Sequence, residues 1–282
     1  MDIRQSLNYA GFMRSLGWKV EKAGQANVFI RHLPIISRLS VIKVQRPESI
    51  NFGELDRIAK KHHALFVKLE PNVATNYELL TTDYRKDNWP LLPTKTLVIN
   101  TSMKFESLPK DTRYEVRAAE KNGVVVQTSE DIEIFYKLLQ ETMKIGRWSV
   151  PILKEVTNLY QSFQPDSSQL LIAYQNSTPV AGCLLIHDKT TAHYMYAASA
   201  LLGRKLSAAY LVLWEAIKWC QQERLRFLDL EGIYDERFKS HTKDWQGFTK
   251  FKEGWSGKVI EYPGSFTKFC NPLAKLLFSV AH

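Results

Sequence analysis

The sequence predicts an α/β fold with mixed sheets, divided into two domains. At 282 residues, with 45% hydrophobic and 12% aromatic residues, the chain can bury a sizeable core. Apolar periodicity switches between strand and helix along its whole length. A polar stretch at residues 81–95, carrying DYRKDNWPLLPTK, places a domain boundary near its end.

Residues 3–16 read as an amphipathic helix ended by Gly17-Trp18. Residues 27–45 read as strand (VFI, then LSVIKV through Pro34), 52–63 as helix, and ALFVKLEP as a strand stopped by Pro71. Beyond the boundary, TLVIN at 96–100 is a strand. In TRYEVRAAEKNGVVVQ, Arg113, Arg117 and Lys121 recur every four residues on one helical face, Asn122-Gly123 signals the C-cap, and VVVQ starts a strand. Residues 130–144 form a second helix. QLLIAYQ, VAGCLLIH and AHYMYAAS, joined by NSTP and DKTT, form a three-stranded meander over 169–199. Ser207 caps the helix AAYLVLWEAIKWCQQE, RFLDLEGI is a strand ending at Gly232, and 233–247 is a charged loop. In KFKEGWSGKVIEYPG, residues 250–264, period-2 alternation puts Lys250 and Lys252 on one strand face and Phe251 on the other. Two cations side by side suit a phosphate or a developing oxyanion. Gly-Trp-Ser-Gly then breaks the chain and VIEY resumes as strand.

Composition removes several function classes. Apolar runs fall short of the roughly 20 residues that span a bilayer, and MDIRQSLNYAGF lacks the apolar core of a signal peptide, which points to the cytoplasm. The three cysteines, Cys183, Cys220 and Cys270, are widely spaced and imply neither a disulfide framework nor a zinc knuckle. His62-His63 would point about 100° apart on a helix and make a poor metal pair, so neither metal nor cofactor is expected. The net charge of +9 permits a polyanionic partner without demanding one.

Helix, helix, three-stranded meander, helix, strand, loop, strand is the order of a GNAT-type N-acyltransferase. The N-terminal part could be a reduced copy of it. Residues 1–94 are read as that reduced GNAT-like domain, with 265–282 packing back on it, and 95–264 as the second. An acyl-CoA enzyme cradles its pyrophosphate on a Gly-rich turn at a helix N-terminus. The matching place, LLGRKLSAAYLV, offers only Gly203, with Arg204 and Lys205 beside it, which counts against acetyl-CoA.

KFKEGWSGKVIEYPGSF, YMYAASALLGRKLSAAYLVLWEAIKWCQQERLRFLDLEGI and TRYEVRAAEKNGVVV, with weaker matches in QSLNYAGFMRSLGW, QRP and FVKLEP, resemble the Fem family of peptidoglycan-bridge aminoacyltransferases. The resemblance covers nearly the whole chain. It implies transfer of an amino acid from aminoacyl-tRNA to an amine of a nucleotide- or lipid-linked muropeptide precursor, hence a role in cell-wall biogenesis and cell shape, without metal or CoA. Lys252 corresponds to the family's catalytic-site lysine, for oxyanion or acceptor positioning. Phe251 would fix that lysine and contact the tRNA terminus. Arg147, Tyr194 and Tyr196 are candidates for holding the acceptor, the two tyrosines on one strand face. Arg38, Lys43 and Arg46 are further candidates in the first domain. The Arg113–Arg117–Lys121 stripe and Lys250 would meet tRNA phosphates, helped by eight Lys/Arg against three acids between Arg237 and Lys275. Asp229 and Glu231 stand at a strand end, where carboxylates are ordinary, and the general base is not visible.

The chain departs from the family in four ways. Gln45-Arg46-Pro47 lacks the glycine of the family's Arg-Gly-Pro segment, the β-hairpin region before Arg46 is short, Asn100 replaces an aspartate, and no helical hairpin is inserted before Tyr194, so the coiled-coil arm is absent. FTKFCNPLAKLLFSVAH is expected to pack on the first domain, or to touch the inner face of the membrane weakly. The protein is expected to be a monomer. An acyl-CoA N-acyltransferase and a non-catalytic tRNA- or polysaccharide-binding relative remain as alternatives.

Overall fold

The computed structural model describes residues 1–73, 83–146, 149–271 and Lys275. The first elements are α1 (Leu7–Ser15), β1 (Lys19–Ala23), β2 (Ala26–His32), β3 (Ser40–Gln45), α2 (Phe52–Lys61), β4 (Ala64–Glu70) and β5 (Arg85–Asp87). Side-chain caps start both helices. Ser6 Oγ accepts the Tyr9 amide at 3.1 Å, and Asn51 Oδ1 accepts that of Glu54 at 3.1 Å. Lys60 and Lys61 in its last turn suit the negative end of the α2 dipole. The strand β1 is additional to the sequence reading, because KVEKA has too few apolar residues to signal one.

The chain continues with β6 (Lys95–Asn100), α3 (Lys110–Lys121), β7 (Val124–Ser129), α4 (Ile132–Gly146), α5 (Leu153–Phe163), β8 (Ser168–Gln175), β9 (Thr178–His187), β10 (Thr191–Ser199), α6 (Leu201–Lys205), α7 (Ala208–Gln222), β11 (Phe227–Gly232), α8 (Lys239–Thr242), α9 (Gln246–Glu253), β12 (Lys258–Glu261) and β13 (Ser265–Phe269). The meander and the two helices before it lie where the periodicity puts them. The helices α5 and α6 are additional. The charged stretch after Gly232 is a series of short helical turns leading into α9.

Two units result: residues 1–94 with 235–243 and 261–282, and residues 95–234 with 244–260. The sheet of the first has the order β1-β2-β3-β4-β13-β5. Its one parallel pair, β3–β4, is bridged by α2, as a parallel connection requires a crossover. The last strand, β13, inserts antiparallel between β4 and β5. The core is Val28, Ile30, Ile42, Val44, Leu55, Val67 and Leu69. The sheet of the second has the order β12-β6-β11-β10-β9-β8-β7, and its parallel pair β10–β11 is bridged by α6 and α7. Leu211, Val212, Ala216 and Ile217 of α7 pack with Leu171, Cys183 and Leu185 in its core. Among the described residues no helix is long and apolar enough to cross a membrane.

Candidate active site

Lys252 sits on α9, a helix and not the expected strand. A three-residue alternation cannot separate the two periods. At helical spacing Phe248, Phe251, Lys252 and Trp255 fall on one side, while Lys250, about 200° from Lys252, turns away and is exposed. Phe251 is anchored edge-on against Tyr210, centroids 4.9 Å apart, and against the fully buried Trp255 at 6.3 Å. Thr112 Oγ1 donates to the Gly254 carbonyl at 2.6 Å and fastens the end of α9 to α3.

The Lys252 ammonium donates to the carbonyls of Leu230 (2.6 Å) and Gly232 (2.7 Å), with the Phe248 ring 4.9 Å away. Those carbonyls need a donor because β11 leaves regular pairing there. Its parallel register with β10 runs only from Thr191↔Phe227 to His193↔Asp229, and its register with β6 breaks between Asp229 and Gly232. Glu231, at the break, has φ +58°. Burial pulls the Lys252 ammonium down to about 8, partly opposed by the carboxylates of Glu231 and Asp229.

Beside it is a polar cluster that the sequence did not reveal. His193 Nδ1 lies 2.8 Å from Glu231 Oε1 and 4.0 Å from Asp229 Oδ2. Asp229 Oδ1 accepts the Glu231 amide at 2.7 Å and the Thr96 hydroxyl. Burial, then the neighbouring Glu231 charge, raises the Asp229 carboxyl above its ordinary range. Glu231 is the least buried of the three, its side chain 15% exposed. Asp229 and Glu231 show in the sequence as an i, i+2 pair on one strand. His193 lies 38 residues from Glu231 and is brought in only by β10–β11 pairing. Among the described residues this trio is the group of His, Cys, Asp and Glu whose atoms converge, within 4.8 Å, closely enough to hold a metal ion. Its members already bond to one another, to Thr96 and to backbone, and the Lys252 cation competes for the same carboxylates. The arrangement suits holding and passing a proton.

The remaining predicted residues divide. Tyr194 and Tyr196 do not share a face. A bulge between them pairs Tyr194 with Leu185 and Tyr196 with Leu184, which send them to opposite sides. Tyr194 is a core residue with its hydroxyl on Cys183, whereas the Tyr196 hydroxyl donates to Glu155 at 3.0 Å. Arg46 is buried, donates to the carbonyls of Pro71 (3.1 Å) and Pro93, and stacks 3.4 Å over Tyr262. At φ +53° it takes a backbone position that glycine fills without strain. It is therefore a structural arginine. Lys43 lies 4.7 Å over the Trp18 ring, and Arg38 is exposed. Arg113 is half-buried on α3, while Arg117 and Lys121 are exposed, Arg117 lying 5.3 Å over Phe105. Arg147 lies outside the described residues.

The acyl-CoA cradle is unfavourable in shape and charge. Gly203 is buried in α6, where a Cβ would collide with the Val180 carbonyl oxygen, so it serves packing. The Ser207 hydroxyl at the start of α7 donates to the Glu115 carboxylate, an acid where a diphosphate would need donors. A separate cleft of about 340 Å³, lined by Asn100, Ser102, Arg224 and Arg226 among others, lies at the opposite end of β11 from Lys252.

Residues 153–282 match the FemAB family model. A comparison with curated protein sequences gives no match. Among solved structures, the chain is similar to the crystal structure of FemX (TM-score 0.81, 16% identity, 98% of this chain and 94% of that one). It is also similar to the C-terminal domain of a putative lysylphosphatidylglycerol synthetase from Agrobacterium fabrum (TM-score 0.67, 10% identity, 99% and 93%). A GCN5-related N-acetyltransferase from Kribbella flavida follows the same fold (TM-score 0.52, 12% identity, 98% and 99%). The chain thus carries FemAB family sequence over residues 153–282 and shares the fold of FemX over nearly its whole length.

Proposed function

We propose that the protein moves an amino acid from aminoacyl-tRNA to an amine of a peptidoglycan precursor peptide. The observation that carries this reading is Lys252. It lies in a segment matched by the FemAB family and is held as a cation by two neutral carbonyls, beside a His–carboxylate pair. An aminoacyl ester is already activated, so the protein has chiefly to orient the amine and stabilise the oxyanion. An ammonium has three donors. Leu230 and Gly232 take two, and the third serves the oxyanion. As the new N–C bond forms and the ester C–O bond breaks, the amine proton passes to Glu231, backed by His193, and returns to the departing ribose hydroxyl.

The donor tRNA meets the Arg113, Arg117 and Lys121 side of α3 and the exposed Lys250. The acceptor is a nucleotide- or lipid-linked muropeptide. The acidic group at the α7 N-terminus disfavours the alternative acyl-CoA donor. The test is incubation with charged total tRNA and a panel of muropeptide precursors, read by mass spectrometry. The expected outcome is a precursor heavier by one aminoacyl residue. Acylation by acyl-CoA, with none from charged tRNA, would overturn the reading.

A further inference from the structure

We propose that the tip of the β2–β3 hairpin docks on an anionic lipid bilayer. The tip, Leu33 to Leu39 (LPIISRL), is a shaped loop. The Leu33 amide donates to the Leu39 carbonyl at 2.9 Å, the Leu39 amide to the Ile36 carbonyl at 2.9 Å, and His32 Nδ1 lies 2.7 Å from the Ser37 carbonyl oxygen. This closed turn holds two adjacent isoleucines outward, Ile35 at 96% and Ile36 at 53% exposure. A lone exposed aliphatic residue is ordinary, but a pair at a protruding tip is an apolar wedge.

Charge decides what the wedge fits. Between Glu21 and Glu48 the chain has Lys22, Arg31, Arg38, Lys43 and Arg46 and no acid. Arg31 precedes the tip, Arg38 lies within it, and both are exposed. The end of α2 is tied to the start of β3, with Ser40 donating to the carbonyls of His63 (3.3 Å) and His62 (2.8 Å), which brings exposed Lys60 and His63 to the same edge. The nearby acid, Glu21, is taken by Lys61 (2.8 Å) and His62 (2.6 Å). Apolar side chains at a tip ringed by unneutralised cations match a bilayer interface, which buries the first and attracts the second. A nucleic acid would instead call for aromatic platforms, and the tip carries none.

The proposal does not depend on which donor or acceptor the enzyme uses. The full chain is sedimented with vesicles of phosphatidylcholine and phosphatidylglycerol, or of phosphatidylcholine alone, at low and high salt. Binding is expected to the mixed vesicles, weakened by salt. The double substitution I35S/I36S should lower it on the order of tenfold or more, and Arg31→Ala roughly fivefold. Thermal unfolding and transfer to a soluble nucleotide-linked acceptor should stay unchanged. Absence of wild-type binding, binding indifferent to the isoleucines, or loss in I35S/I36S of tRNA affinity or of self-association in place of vesicle binding would overturn the proposal.

Discussion

Lys68 in the first unit and Lys252 in the second are both drawn in from the solvent, and the two are handled in opposite ways. Lys68 on β4 is fully buried. Its amine meets Asp87 Oδ1 at 2.5 Å and lies 3.4 Å over the Trp89 ring. Asp87 is itself fixed by Ser265 (2.6 Å), Thr267 (2.7 Å) and the Trp89 amide (3.1 Å). Lys252 has no carboxylate in hydrogen-bond contact, only two neutral carbonyls. A cation matched by a fixed anion joins β4, β5 and β13 and has nothing left to offer. A cation held by dipoles keeps its charge available for a negative charge that develops during reaction.

Substitution should separate the two roles. Lys68→Ala strips the partner from a buried Asp87 and should cost about 3–5 kcal/mol of stability, read as a lowered urea midpoint. Lys252→Ala should lower the rate of transfer by about 10²–10³. The two carbonyls it leaves unsatisfied should cost about 1–3 kcal/mol each, offset in part because the burial penalty on the Lys252 cation is relieved, so the folded enzyme remains measurable. Near wild-type turnover by folded Lys252→Ala, or catalytic loss without destabilisation in Lys68→Ala, would break the contrast.

Glu231→Gln keeps the shape and a hydrogen-bonding group facing His193 but removes the proton acceptor. It should lower turnover by about 10²-fold with little change in the apparent affinity for the donor. Transfer from pre-charged tRNA should survive a chelator. Stoichiometric metal in the purified protein, with activity lost on chelation, would instead make His193, Asp229 and Glu231 a metal site.

The pH dependence carries the same distinction. If Lys252 works as a cation, turnover should fall as pH rises through about 8, where its ammonium loses the proton. Stability should move the other way. Between about 8 and the ordinary lysine value of 10.5 the unfolded chain binds the extra proton, so the Lys252 contribution to stability rises with pH over that window. In Lys252→Met that rise should vanish from the stability profile. A fall in turnover above pH 8 that persists in Lys252→Arg, whose charge stays on, would assign the titration to another group.

What was legible follows from what sequence encodes locally. The meander and α7 carry long, strongly apolar runs bounded by turn residues, and their type follows from period. The helix α9 is short, and KFK satisfies a strand period as easily as a helical one. The partners of Lys252 are backbone carbonyls, which leave no mark in sequence. The cluster of His193 with Glu231 depends on a parallel pairing across a helical crossover, and the Asp87–Thr267 bond spans 180 positions. The backbone position of Arg46 shows in sequence only as a missing glycine. Its role in filling the space over Tyr262 needs the fold.

The smallest expected effect concerns α3, the exposed counterpart of the two sequestered lysines. Its buried side is Thr112, Val116 and Ala119, so Arg117 and Lys121 face water and contribute little to stability. Glu120 is exposed between them, so the stripe is not purely positive. If these residues track a phosphate backbone, each contact displaces about one counterion, and each lost contact removes about 0.9 from the slope of log affinity against log salt. The double substitution Arg117→Glu and Lys121→Glu should therefore flatten the tRNA slope by about two units, leave the urea midpoint within about 0.5 kcal/mol of wild type, and leave muropeptide affinity unchanged. Arg113, half-buried, should weaken binding less when changed to Gln. An unaltered tRNA slope in the double variant would move the tRNA path off α3. A selective loss of muropeptide binding would assign the stripe to the acceptor and leave Lys250 and the other exposed cations to carry the donor.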